Sequence, residues 1–409
     1  MGRTHRHRWL RWTLLLTVGL GVALVGTWAV LFVVVQPPEP GSFYTPPEPL
    51  PEGGPGTIIR SEPIRDDLPD HAAEGWRILY RSTDPSGDAI AVSGVLAVPE
   101  GEPPEEGRDV VAWAHPTTGV DSRCAPSLRS EVFDSIHGAD RFLEAGDVVV
   151  ATDYPGLGTP GPHPYLVGVS EARAVIDSVR ATRDLDEADA GTRYAVWGHS
   201  QGAQAALFVG QVAPGYAPDL ELAGVAAASP PTDLSTLLEL DLDSLAGKLL
   251  GSFGLWSWSQ LYPDAELSSI VEPSALGAVN ELATRCIETP LQTYVLAPQL
   301  AWLQTGFLQA DPTTTQPWEG IIEDNSPETG AVSVPVLVAQ GTDDEIVHPD
   351  VTEDYVDDSC DDGTTIDLKL LDGVAHVGAG EAAAPDAARW IADRFAGETA
   401  PTTCDDGSN

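Results

Sequence analysis

The chain has 409 residues, with 62 acidic against 21 basic side chains and a formal net charge of −41. Such acidity excludes the basic footprint that nucleic-acid binding needs, and it argues against tight binding to anionic lipid by anything beyond the N-terminal segment. It reads as a solvated, solubilising surface that leaves neutral partners open.

Arg3, Arg6, Arg8 and Arg11 precede residues 12–35, which carry no charge. As a helix at about 1.5 Å per residue, that stretch would reach about 36 Å and span a bilayer. A signal peptide has a shorter apolar region and a small-residue cleavage site, which is not evident here. No Lys or Arg follows until Arg60, so the N-terminus is placed in the cytoplasm. Residues 1–36 therefore read as a basic tip and an uncleaved signal anchor, with a cleaved signal peptide as the alternative. The rest of the chain is then either a single-pass membrane protein's outer domain or secreted. Residues 37–57, dense in Pro, Gly and Glu, read as a semi-rigid extended tether.

Strands are expected at 76–81, 89–98, 109–115, 147–153, 193–197, 222–229, 334–340 and 366–371, and helices at 132–145, 169–182, 203–212 and 385–395. Their alternation predicts an α/β fold with a mostly parallel central sheet. A simple crossover needs only about a dozen residues, but the gap between strands 222–229 and 334–340 is far longer. Residues 231–330 are accordingly read as an inserted helical cap on a core formed by 58–230 and 331–397, with a tail at 398–409. The cap carries Trp256, Trp258, Trp302 and Trp318. They either line an apolar pocket or pack the cap's own core, and none is assigned a substrate.

The motif carrying most information is Gly198-His199-Ser200-Gln201-Gly202. A chain with 40 glycines can show this pattern by chance, so its context decides. The β-branched and aromatic run 192–197 precedes it and a run of helix formers, 203–212, follows. Strand, sharp turn and helix is the geometry of a nucleophile elbow, where only glycine tolerates the close approach of the backbone. A serine hydroxyl needs a base, and the base needs an orienting acid. In α/β-hydrolases these follow in the order Ser, acid, His. The apolar run 334–340 ends in Gly341-Thr342-Asp343-Asp344, and the run 366–371 ends in a loop holding His376. His376 is read as the base and Asp344, the third residue after Gly341, as the acid in preference to Asp343. His348, within the acid's own loop, reads as a loop-surface residue.

His115-Pro116-Thr117-Thr118-Gly119, Cys124-Ala125-Pro126-Ser127, and the stretch from Asp153-Tyr154-Pro155-Gly156 to Pro164-Tyr165-Leu166 occur in this order ahead of the elbow. Together with the triad loops they resemble the secretory lipase family, α/β-hydrolases of the fungal lipase A type with many actinobacterial members. The resemblance runs over residues 58–395. It implies a carboxylic ester hydrolase, with acylglycerols among the candidate substrates and a helical cap over the acyl site. A neutral ester or lipid droplet is compatible with the chain's charge. Many members carry His-Gly where this chain has His115-Pro116, and proline has no N–H to offer an oxyanion. The oxyanion hole is therefore expected from the amide of Gln201, placed by the elbow, and from Thr117 or Thr118, with Thr117 the first choice. Two such donors are needed because attack on a carbonyl leaves a negative charge on its oxygen.

The four cysteines, Cys124, Cys286, Cys360 and Cys404, lie on the exported side and admit three pairings into two disulfides. The resemblance favours Cys124–Cys286, which leaves Cys360–Cys404 to pin the tail. No Cys-x-x-Cys or clustered His spacing points to a metal, and no cofactor is expected. The reading is thus a serine carboxylic ester hydrolase, a lipase or esterase, outside the cytoplasmic membrane. Alternatives are a serine peptidase or an acyltransferase on the same triad, and, from another class, a binding protein that kept the fold without the chemistry.

Overall fold

A computed structural model describes residues 37–304 and 306–404. The expected signal anchor, residues 1–36, lies outside them. Among the described residues no helix is long and apolar enough to cross a membrane.

In chain order the strands are β1 (Ile58–Ile64), β2 (Ala72–Thr83), β3 (Ala89–Pro99), β4 (Arg108–Ala114), β5 (Val148–Thr152), β6 (Ala190–His199), β7 (Glu221–Ala228), β8 (Val336–Gly341) and β9 (Ile366–Leu371). They form one sheet in the order β1-β2-β3-β5-β4-β6-β7-β8-β9. The first three strands and the β3–β5 pair run antiparallel, whereas β5, β4, β6, β7, β8 and β9 are parallel. The parallel strands are apolar almost throughout, Val148–Thr152 and Val336–Gly341 being wholly buried, because helices cover both faces of the sheet. β1 was absent from the expected strands. It is an edge strand with alternating exposure and contains Pro63, which an edge tolerates because one side of the strand needs no ladder donor.

The flanking helices are α1 (Ala139–Ala145), α2 (Gly168–Asp184) and α3 (Gln201–Tyr216). The expected helix over 132–145 is in fact a short 3-10 turn at Val132–Ser135 followed by α1. Between β7 and β8 the chain forms α4 (Leu234–Asp241), α5 (Leu245–Leu261), α6 (Leu267–Ile270), α7 (Leu276–Leu282), α8 (Pro290–Val295), α9 (Ala297–Leu303) and α10 (Trp318–Asp324). These helices bury a cluster of their own that includes Phe253, Leu282 and Trp318, separate from the two clusters on either face of the sheet. Trp318 and Trp258 are buried in it, while Trp302 is exposed. After β8 come α11 (Pro349–Asp361) and, after β9, α12 (His376–Phe395). The last helix starts nine residues before the expected Pro385, which instead sits inside it.

Residues 37–57, expected as a semi-rigid extended tether, make specific contacts with the rest of the chain. Tyr44 is buried, and its hydroxyl is within 2.9 Å of the Ser127 hydroxyl. Arg60 donates to the carbonyls of Ser42 and Phe43. One aromatic side chain with a buried hydrogen-bond partner is enough to anchor a segment whose composition alone cannot form a core. Both disulfides form, Cys124–Cys286 and Cys360–Cys404. The first joins the loop after β4 to the helical segment between β7 and β8. The second pins the end of the chain beside β9, where Thr403 donates its amide to the Ile366 carbonyl.

Candidate active site

Ser200 follows β6, a central strand, and opens α3 with φ 55° and ψ −121°, a positive-φ conformation that a serine adopts only under constraint. The constraint is visible on both sides. Its amide donates to the Ala228 carbonyl on β7, and a Cβ on Gly202 would fall 1.9 Å from the Ala114 carbonyl oxygen on β4. A Cβ on Gly198 would lie 2.1 Å from the Gly202 oxygen. Both glycines of the motif are thus required by backbone packing. Tyr154, Leu166 and Ser229 also have positive φ, so strained residues gather beyond the carboxyl ends of the strands.

Three of the expected residues meet there. The Ser200 hydroxyl donates to His376 Nε2 at 2.8 Å, and His376 Nδ1–H donates to Asp344 Oδ2 at 2.8 Å. The other carboxylate oxygen, Oδ1, accepts the amides of Ile346 and Val347 at 2.9 and 2.8 Å. Burial alone would raise the Asp344 carboxyl. The hydrogen bond and charge of His376 and the two amides outweigh burial, and the group is held below its usual range. Asp343 is exposed and takes no part. His376 is the first residue of α12, and its backbone carbonyl accepts Nε2–H of the buried His199 at 2.9 Å. Burial keeps His199 neutral, with its pKa lowered to about 3. His348 is not a free surface group. Its Nε2–H donates at 3.0 Å to Asp241, the last residue of α4.

Gln201 sits beside the nucleophile as the first residue of α3, and its side chain is buried on the protein side. Its Nε2 donates at 2.7 Å to Glu171 and lies 3.1 Å from His163 Nε2. Thr117 is half-buried in the loop after β4, and its hydroxyl pairs at 2.9 Å with the Tyr165 hydroxyl. That loop is stitched to the helical segment by the Cys124–Cys286 bridge and by the Ile287 amide, which donates to the Thr118 carbonyl.

Ser200 and Gln201 open into a cavity of about 750 Å³, its mouth included. Its walls are mainly apolar, from Tyr165 and Leu166, from Leu234, Leu237 and Leu238 of α4, and from one face of α5. That face presents Gly251, Gly254, Leu255 and Trp258, and the Trp258 indole N–H donates to the Tyr165 carbonyl. Sequence reasoning missed Glu171 and His163. A signal for Glu171 was available: it falls at i, i+4, i+8 with Val175 and Val179 on the buried stripe of α2.

A model described as secretory lipase matches residues 136–403. The chain is 26% identical over 395 residues to Lipase A of Arthroderma benhamiae, covering 90% of this chain and 82% of that one. It is also 24% identical over 380 residues to a probable inactive lipase of Mycobacterium tuberculosis, covering 88% and 83% respectively. Candida antarctica lipase A in its closed state matches with a TM-score of 0.72 at 19% identity, over 90% of this chain and 88% of that structure. The likeness establishes an α/β-hydrolase-like fold.

Proposed function

The chain belongs to the secretory lipase family of ester hydrolases, and from that premise we propose that it is an active serine carboxylic ester hydrolase working through an acyl-enzyme on Ser200. The observation that carries this reading is the unbroken chain Ser200–His376–Asp344 at the mouth of an apolar cavity. Because at least one relative is described as inactive, membership alone does not supply the activity; the bonded triad is the reason to assign it here.

Ser200 Oγ attacks the ester carbonyl while His376 Nε2 takes its proton. Asp344 holds the ring in the tautomer with Nδ1 protonated and stabilises the imidazolium that forms. The tetrahedral oxyanion is met by the backbone amide of Gln201 and by a donor of the loop after β4, for which Thr117 is our choice. One such donor is worth about 2.7–4 kcal/mol of barrier. His376 then returns the proton to the alcohol as it leaves. A water molecule, activated by the same ring, releases the acid and restores Ser200. The cavity takes the acyl chain, whose apolar walls exclude water from the reacting atoms.

Residues 231–330 serve as the cap over a core formed by 58–230 and 331–397. Two disulfides support an oxidising compartment, and with the charge-free residues 12–35 they favour a location outside the cytoplasmic membrane, anchored or secreted. The test is fluorophosphonate labelling of the detergent-solubilised full chain beside Ser200→Ala, with p-nitrophenyl esters of increasing chain length as substrates. Labelling lost in Ser200→Ala and turnover in the parent support the reading; a folded parent that neither labels nor turns over any ester overturns it.

A further inference from the structure

Glu171 lies in the first turn of α2 and is wholly buried. A single oxygen of its carboxyl, Oε1, accepts both the Gln201 side-chain N–H at 2.7 Å and the Leu166 amide at 3.0 Å. Its other oxygen, Oε2, is buried with no hydrogen-bond partner among the described residues. His163 Nδ1–H donates to the Pro155 carbonyl at 2.9 Å, which leaves Nε2 to accept the second proton of the Gln201 amide at 3.1 Å. Gln201 is the residue immediately after the nucleophile. Leu166 carries φ 54° and lines the cavity beside Ser200. One carboxyl therefore ties the elbow to the adjoining cavity wall, in a place where a hydrophobic side chain would satisfy neither donor.

We propose that Glu171 is a positioning residue for the transition state: by holding the Gln201 side chain and the Leu166 amide together, it fixes the oxyanion-facing amide of Gln201 against Ser200. The inference rests on the ester-hydrolase reading above. It concerns a group that does not touch substrate and acts only through its neighbours.

The charge state of Glu171 gives this role a signature that mere packing lacks. The titratable groups that face it are His163 at 3.9 Å, Tyr154 and Tyr165. Burial keeps all three neutral, lowering His163 to about 3 and pushing both tyrosines up. Among the described residues no cation therefore offsets an ionised Glu171. Burial raises its carboxyl to about 8, against the lowering by the bonds from Gln201 and Leu166. The neutral acid is the form that serves the site. Ionisation would put a negative charge in contact with the residue that must stabilise another one.

The experiment measures kcat and KM for p-nitrophenyl butyrate from pH 6 to 9.5, using the detergent-solubilised full chain, Glu171→Ala and Glu171→Gln, each checked for folding by circular dichroism. The parent is expected to lose kcat as pH rises through about 8. Glu171→Gln should keep kcat near the parent value at pH 7 and lack that alkaline fall. Glu171→Ala should lose about ten- to hundred-fold in kcat with little change in KM, the pattern of a misplaced catalytic group. An active parent whose folded Glu171→Ala variant keeps its kcat overturns the inference and leaves the hydrolase reading intact. If Glu171→Ala does not fold, an alkaline limb unchanged in Glu171→Gln overturns it equally. A folded parent that turns over no ester removes the hydrolase reading and this inference with it.

Discussion

Asp344 and His376 are joined on both carboxylate oxygens: Nδ1 of the ring lies 2.8 Å from Oδ2 and 3.1 Å from Oδ1. The neighbouring Asp343 faces solvent. Asp344→Asn should therefore lower kcat by about 10⁴-fold, since an amide cannot hold the ring in the working tautomer. Asp343→Asn should leave kcat unchanged. Steady-state kinetics on a short p-nitrophenyl ester checks both, and the opposite pattern would transfer the acid's role to Asp343.

Several buried acids make stability fall as pH rises, against the common trend. Asp147 is raised to about 7, first by burial and then by Asp109, and Glu288 is raised to about 7, first by burial. Both titrate near 4 in an unfolded chain, so between pH 4 and 7 the unfolded chain binds fewer protons at these two groups than the folded one. Each then contributes a loss of up to about 1.4 kcal/mol per pH unit across that window. Asp344 acts in the opposite sense: its folded value is lowered, so its contribution is lost only as pH drops below about 4. The buried His163 and His199, lowered to about 3, also act in the opposite sense, up to about pH 6.5, so the acids are read above it: urea unfolding should show stability falling from pH 6.5 to pH 8, and Asp147→Asn should flatten the slope. A curve rising from pH 6.5 to pH 8 would contradict the assignment.

The two disulfides should separate by function. Cys124–Cys286 spans 162 residues and anchors the loop that holds Thr117, whereas Cys360–Cys404 spans 44 and fastens the chain's end. Replacing either pair by serine should cost about 2–5 kcal/mol in urea unfolding. Only loss of the first pair should also lower kcat, because the Thr118 carbonyl and the Ile287 amide lose the tether that keeps them in register. Equal activity in the two variants would mean that the loop holds its shape without the bridge.

The triad was legible in the sequence because each member ends a strand, and a strand followed by its loop is a local pattern. Ser200, Asp344 and His376 sit 144 and 32 residues apart, yet the parallel sheet puts the ends of β6, β8 and β9 on one edge. What stayed hidden depends on what covers a segment. The spacing of Glu171 with Val175 and Val179 marks it for burial, but nothing within α2 says that its carboxyl meets the elbow. Tyr44 sits in a stretch whose composition resembles a tether, and only its partner Ser127, 83 residues away, pins it down. The start of α12 was misplaced because Pro385 is a good first residue for a helix, whereas here it sits inside one that begins at His376 itself. Local chemistry located the hydrogen-bonded Ser200–His376–Asp344 chain; the support beneath it is built from contacts distant in sequence.

Acyl-chain preference should be set at Gly254. This residue lies on the face of α5 that walls the cavity, and a Cβ there would meet nothing closer than the Trp258 ring at 3.7 Å. That is ordinary van der Waals contact, so a larger side chain is accepted by the backbone and must grow into open space. Gly251 is tighter, with Leu242 at 3.3 Å, which makes Gly254 the cleaner site. Gly254→Leu removes room for several methylenes while lying away from the triad. It also replaces a poor helix former by a good one, so the fold should not suffer. Hydrolysis of the acetate and butyrate esters should persist. Hydrolysis of C12 and longer esters should fall about tenfold or more in kcat/KM, given that each lost methylene contact is worth about 1–3 kcal/mol of discrimination. A variant whose chain-length profile matches the parent's would place the acyl chain elsewhere, along the α4 wall of Leu234, Leu237 and Leu238.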